Sequence, residues 1–184
     1  MNELTMLLPQ PFINHKILQL AYVVNDLQEA AARWTNAFGI GPFFIVDRPE
    51  IGDPHYRGRP QGVEFSTALA QAGDVHVELV EQHCDSPSCY RDLIPKGKEG
   101  FHHVGVIVED YEAELARYQA QGFVVAMSGT FGDMKFCYVD TSAHLYCMVE
   151  VLENVPFIHD FFGRVKKAAE VWDGRNPLRS ADEL

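Results

Sequence analysis

The sequence predicts an α+β fold made of two βαβββ repeats. They form a cupped mixed sheet or a pair of sheets, with helices outside and one more helix at the C-terminal end. Three observations carry this. QLAYVVNDLQEAAARW, starting at Gln19, lies over HVGVIVEDYEAELARY, starting at His103, at an offset of 84 with no gap. HVELVE, starting at His76, resembles MVEVLE, starting at Met148, at an offset of 72. The two matches come in the same order, and each half shows the same succession of strand-like and helix-like patterning.

Each repeat opens on a short run of apolar and β-branched residues, LQLAYVV and HVGVIV, which reads as a strand. Asn25-Asp26 and Glu109-Asp110 then supply N-cap chemistry. Helices follow, with apolar spacing at Leu27, Ala30, Ala31 and Trp34 and at Tyr111, Leu115 and Tyr118. Gly39 and Gly122 stand where helices often stop. Three strands complete each unit: GPFFIVD, VEFSTALA and DVHVELVEQ, then FVVAMSG, MKFCYVDT and YCMVEVLE. The expected organisation is an N-terminal arm (1–16), a first repeat (17–83), a linker (84–100), a second repeat (101–153) and a C-terminal helix and tail (154–184), in one compact unit. The first repeat alone holds a turn-rich insertion at 47–62, a length typical of functional lids.

Composition narrows the partners. With 184 residues, 47% hydrophobic and 22% charged, the chain has the make-up of a folded globular protein. The formal charge of −11 disfavours nucleic acid and anionic membranes, which need a basic face. No apolar run reaches the roughly 18 residues of a membrane span. MNELTMLLPQPFINHK has no basic region before its apolar stretch, so a cytoplasmic location is expected. Cys84, Cys89, Cys137 and Cys147 make no CxxC pair and read as reduced thiols, not as a disulfide framework or structural zinc site.

Polar residues inside apolar strands point to chemistry. Gln19 interrupts ILQLAYVV, Glu78 interrupts VHVELV, Glu150 interrupts CMVEV, and His103 opens VGVIV. A buried carboxylate without a partner costs several kcal/mol or is forced neutral, so two of them ask for a cation. Gln19 and His103 are repeat-equivalent, as are Glu78 and Glu150. Paired around a pseudo-two-fold axis, the four can converge. An amide oxygen, an imidazole and two carboxylates suit one divalent ion such as Ni, Co, Mn, Fe or Zn. A different strand register would put Glu81 or His76 in the place of Glu78. His102 is expected on the opposite face of its strand from His103.

The repeat, the segments AYVVNDLQEAAARW and GVIVEDYEAELARY, and these four positions resemble the vicinal oxygen chelate superfamily, over about residues 17–153. The resemblance looks closest to its glyoxalase I and methylmalonyl-CoA epimerase branches. In that superfamily the ligands come from the first and last strands of each repeat. GFHHVGV is similar to its glycine-aromatic-x-His strand start, MVEVLE to its final-strand glutamate, and VELVE to the matching first-half strand. Gln19 fits, because glutamine occurs at that place in glyoxalase I enzymes. No glutathione-binding or coenzyme A-binding residue can be matched.

Such a site favours proton transfer next to a carbonyl of a small-molecule substrate, the chemistry of an isomerase, epimerase or lyase. Glu150 is the preferred base, with Glu78 its symmetry-related partner. One alternative is an Fe(II)-dependent extradiol-type dioxygenase, which the lack of a second histidine ligand disfavours. The other is a non-catalytic sequestering protein of the bleomycin-resistance kind. Three further features remain open from sequence. His55, Tyr56, Arg57 and Arg59 could clamp an anion or be a solvated loop. Phe43, Phe44, Phe65, Phe131, Phe136 and Tyr138 could line a pocket or be core. The apolar C-terminal helix should either form a homodimer, the expected assembly, or fold back onto its own core.

Overall fold

The computed structural model describes residues 13–184. Most of the expected N-terminal arm lies outside the described residues. Eleven strands among them form one mixed sheet, in the order β11 (Leu178–Ser180), β2 (Phe43–Val46), β5 (Phe65–Ala72), β6 (Val75–Gln82), β1 (Gln19–Val23), β7 (Gly100–Val108), β10 (Met148–Glu153), β9 (Met134–Asp140), β8 (Val124–Phe131), β3 (Gly52–Tyr56) and β4 (Arg59–Pro60).

The first repeat consists of β1 (Gln19–Val23), α1 (Leu27–Phe38), β2 (Phe43–Val46), β5 (Phe65–Ala72) and β6 (Val75–Gln82). The second consists of β7 (Gly100–Val108), α3 (Tyr111–Ala120), β8 (Val124–Phe131), β9 (Met134–Asp140), the one-turn helix α4 (Ser142–Leu145) and β10 (Met148–Glu153). The halves are copies down to single hydrogen bonds. Asp26 caps α1 by accepting from the Glu29 amide at 2.8 Å, and Asp110 caps α3 by accepting from the Ala113 amide at 3.0 Å. β1 runs parallel to β6 with Gln19 opposite His76, and β7 runs parallel to β10 with His103 opposite Met148. These registers reproduce both sequence offsets. β1 and β7 pair antiparallel at the centre, where Gln19 faces Gly105 and Ala21 faces His103.

Alternation along the strands separates two faces. Outward residues meet the helices. Val77, Leu79 and Ala68 pack on Leu27, Ala30 and Ala31 of α1. Val104, Val106, Val149 and Val151 pack with Tyr111 and Tyr118 of α3. Inward residues, among them Val80, Phe136, Tyr138, Met148 and Leu152, fill the concave side.

The sheet has to curl. β2 and β3 (Gly52–Tyr56) lie on opposite sides of the centre, separated by seven strands. Laid flat they would stand roughly 38 Å apart at the usual strand spacing. Only residues 47–51 join them, a reach of about 20 Å. The insertion thereby ties the two rims of the cup together. Its hairpin, β3 with β4 (Arg59–Pro60), pairs on β8 and covers that edge.

The segment 84–100, expected as a linker, is structural. It carries the short helix α2 (Cys89–Leu93), whose Cys89 and Tyr90 are fully buried in the inner core. The tail is ordered as well. α5 (Pro156–Glu170) lies across β5, with Val165 fully buried against Phe44 and Leu69. After it, β11 (Leu178–Ser180) runs parallel to β2 and covers the other edge, and a 3-10 turn closes on a capping box at Ser180. The Trp172 ring sits where a Cβ on Gly41 would stand, 2.6 Å away, so glycine is required there. Of the two expectations for the C-terminal helix, the described chain shows the folded-back one. No described helix is long and apolar enough to cross a membrane.

Val165 is the peg that seats α5. Val165→Ala is expected to cost about 2 kcal/mol through lost burial and the void left behind, read from the denaturant midpoint at an unchanged slope. No change in midpoint would mean that α5 is not seated on the sheet.

Candidate metal centre

Four side chains meet on the inner face where the halves join. Gln19 and His103 project from β1 and β7, Glu78 and Glu150 from β6 and β10. Gln19 Nε2 donates to Glu78 Oε2 at 2.8 Å and to Glu150 Oε2 at 3.3 Å. His103 Nε2 stands 3.3 Å from Glu78 Oε2 and 3.4 Å from Glu150 Oε2. One ligand atom from each of Glu78, His103 and Glu150 falls within 4.8 Å of the others.

Three of these four are buried and Glu78 is half-buried. Thr67 Oγ1 donates to Glu78 Oε1 at 2.6 Å, so both oxygens of Glu78 are engaged. Thr67 shares the inward parity of Phe65 and Leu69, a signal present in the sequence and not used. Among the described residues no hydrogen bond reaches Glu150 Oε1. Glu150 is therefore the less constrained of the two carboxylates.

His102 is a correction to the sequence reading. It does not point away from His103. The β1–β7 register shifts between Ala21 and Tyr22, placing a bulge at His102. A bulge sets two consecutive residues against one on the partner strand, and both imidazoles turn inward. Their Nδ1 atoms lie 2.8 Å apart, and His102 Nε2 lies 2.9 Å from the Cys89 carbonyl. That geometry assigns the protons. A carbonyl only accepts, so His102 Nε2 carries hydrogen. Burial, with the neighbouring His103 charge, lowers the His102 pKa to about 3, so the ring is neutral and its Nδ1 accepts. His103 Nδ1 must then donate, leaving His103 Nε2 aimed at the carboxylates.

His103 Nε2 is buried and has no properly aligned hydrogen-bond partner, despite its short distances to the two carboxylates. Burial alone would lower its pKa. The adjacent carboxylates of Glu150 and Glu78 outweigh that and raise it to about 9, so without an ion the imidazolium balances the carboxylates. The arrangement also fits a metal. Ligand atoms bonded at about 2.1 Å to one ion stand roughly 3.0–3.4 Å apart, close to the observed separations, and the N/O set suits a divalent transition ion.

The central pairing makes room for this convergence. A Cβ on Gly105 would come within 2.9 Å of Gln19 Cβ. The bare backbone of Gly105 lets Gln19 lie across β7, and the small Ala21 does the same opposite His103. Neither was singled out from sequence, although both sit two residues after a ligand-type residue in the aligned repeats.

The geometry separates alternatives that the sequence leaves open. Glu81 faces outward and accepts from the Leu27 amide at 3.0 Å, capping α1. His76 lies under Phe162, with ring centroids 4.2 Å apart, and not in the cluster. The proposed anion clamp is occupied. Arg57 is held by Asp92 and Asp140, and Tyr56 donates to Asp92. None of His55, Tyr56, Arg57 and Arg59 lines the cavity beside the four site residues. That cavity holds about 330 Å³ and is lined by Phe44, Phe65, Phe131, Phe136 and Tyr138. Phe43 points the other way, into the α1 layer, because neighbouring strand residues alternate faces.

Residues 18–138, about two thirds of the chain, match the Glyoxalase/Bleomycin resistance protein/Dioxygenase superfamily. The chain belongs to that superfamily. No curated protein matches it significantly in sequence. Among solved structures, methylmalonyl-CoA epimerase from Mycobacterium tuberculosis is similar at 17% identity and TM-score 0.54, over 78% of this chain and 91% of that one. A hypothetical protein from Bacillus halodurans is similar at 16% identity and TM-score 0.53, over 78% and 96%. A Streptomyces coelicolor methylmalonyl-CoA epimerase variant in complex with 2-nitronate-propionyl-CoA is similar at 17% identity and TM-score 0.51, over 77% and 98%. These likenesses establish a shared fold.

The closeness of Gly105 to Gln19 yields a direct test. Gly105→Val is expected to displace Gln19 and cost about 1–3 kcal/mol from overpacking, measured by denaturant unfolding. Gly62→Val, whose Cβ would meet only a Pro54 side-chain carbon at 3.7 Å, should change stability little. Equal effects would remove the special place given to Gly105.

Proposed function

We propose that the protein is a metal-dependent isomerase, epimerase or lyase acting by proton transfer next to a carbonyl of a small molecule. The observation that carries the reading is the orphaned His103 Nε2, buried between two carboxylates with Gln19 beside them. Gln19, Glu78, His103 and Glu150 would hold one divalent ion, with Gln19 using its amide oxygen. When bound, the ion would supply Lewis acidity to a substrate oxygen and so acidify the adjacent C–H.

The chain's own groups have separable parts. His102, fixed by the Cys89 carbonyl, orients His103 and keeps its Nε2 toward the centre. Thr67 and Gln19 hold Glu78 in one rotamer. Glu150, with an oxygen free of hydrogen bonds, removes the proton from the substrate carbon and can return it to the same carbon or its neighbour. Tyr138 lines the same cavity from the strand next to Glu150. Burial and the Glu150 charge push its pKa well above the usual phenol value, so it stays a neutral donor. The apolar walls exclude water and strengthen these electrostatic contacts.

Two variants separate holding the ion from moving the proton. Glu150→Gln is expected to retain a bound divalent ion by calorimetry while solvent-deuterium exchange at the substrate carbon, followed by NMR across a panel of α-hydroxycarbonyl compounds, falls by about 10²–10⁴-fold. His103→Ala should lose ion and exchange together. A fully active Glu150→Gln would transfer the base to Glu78. A wild-type protein that binds no divalent ion would end the reading.

A further inference from the structure

The reading above leaves the substrate class open, and the cavity carries information about it. Its wall is almost wholly apolar. Besides Gln19, Glu78 and Glu150, the polar lining side chains are Thr67, Tyr138 and Asp182. Thr67 is spent on Glu78, and Tyr138 shares a 3.1 Å hydrogen bond with Tyr90. None of the 15 lysines and arginines lines the cavity. Basic residues adjoining lining segments are already paired: Arg48 with Asp47 and Glu64, Arg164 with Asp160. The lining residues exposed to solvent, Phe157 and Asp182, mark the side open to bulk water, and the one charge there is negative.

The tail makes the cavity apolar. Phe157, Ile158, Phe161 and Phe162 of α5 form part of the wall, and Ala181 and Asp182 of the closing turn join them. α5 is held in place by the buried Val165, and the segment after it by β11 on β2. Charge balance points the same way. Two carboxylates and a divalent ion sum to zero, so an anionic ligand would leave a net negative charge in an apolar site with no lining cation to offset it.

We propose that this site takes a compact, uncharged ligand: a branched or aromatic hydrocarbon body bearing two adjacent oxygens, such as a hydroxyketone or diketone. Substrates carried on phosphate-bearing or carboxylate-bearing handles, coenzyme A thioesters and glutathione adducts among them, are excluded. The inference rests on the proposed metal centre for the oxygen pair and on the cavity alone for the uncharged apolar body.

The test has one arm for each part. In the first, the full chain is loaded with Co(II), its uptake followed by absorption. It is then titrated calorimetrically with hydroxyacetone, 2-hydroxyacetophenone, methylmalonyl-CoA and S-lactoylglutathione. Replacing methyl by phenyl should tighten binding roughly 30-fold, from the apolar area the wall covers. The two carrier-bound compounds should give no heat at millimolar concentration. Equal binding of the two hydroxyketones, or a carrier compound binding more tightly than 2-hydroxyacetophenone, would overturn the proposal while leaving the metal reading intact. The second arm needs no ion. The uncharged dye N-phenyl-1-naphthylamine should gain fluorescence with the metal-free chain. That gain should weaken in Phe157→Lys, a half-exposed position that tolerates a charge without unfolding the core. If Co(II) does not load, proton transfer at a metal falls, and dye binding that is lost in Phe157→Lys still supports the uncharged ligand class. Absence of any dye binding would overturn it.

Discussion

Everything in this protein is organised by the antiparallel pairing of β1 with β7 in one register. That pairing sets Gln19 against Gly105 and His103 against Ala21, so the two side chains cross a seam narrow enough to share one centre. The parallel neighbours β6 and β10 then bring a glutamate to each side of it. A slip of one residue at the seam would turn every inward side chain outward. The convergence of the four side chains and the pseudo-two-fold axis are thus one constraint seen twice.

The electrostatic consequence is an acidic cluster inside an apolar cup. Neither glutamate can sit there charged without compensation. In the ion-free chain the Gln19 amide and a protonated His103 provide it. The separations of His103 Nε2 from the two carboxylates are also those of donor atoms around one divalent ion. The bulge at His102 adds a second layer. It recruits a ring that would otherwise face the helices and uses the Cys89 carbonyl to fix which nitrogen of His103 faces the two carboxylates.

The two halves depart from symmetry at their rims. The insertion in the first repeat crosses the mouth and adds β3 and β4 to the edge of the second. The tail adds β11 to the edge of the first. Each exposed edge is therefore covered by chain from outside its own repeat, which removes a template for aggregation. The same additions bring Pro49, Ile51, Phe157 and Phe161 over the centre. Closure of the edges and the apolar character of the cavity have one origin.

The repeat, the helix caps at Asp26 and Asp110, the eight strands of the two repeats and the four converging residues were legible in the sequence. Each depends on local chemistry or on a period that survives in one dimension. A capping aspartate acts three residues away, and a glutamate inside an apolar strand is anomalous wherever the strand lies. What only the tertiary structure decided depends on contacts between distant segments. β3 is a polar GDPHY stretch with no apolar alternation, β4 and β11 are only two and three residues long, and all three become strands because a curled sheet offers them an edge. His102 turned inward because the register with β1 slips at Tyr22, which no inspection of β7 alone reveals. Arg57 is a structural tie and not an anion clamp, because folding brings Asp92 and Asp140 to it. The cavity is walled and apolar because α5 returns across β5, a packing choice set by Val165 meeting Phe44 and Leu69 from the far end of the chain.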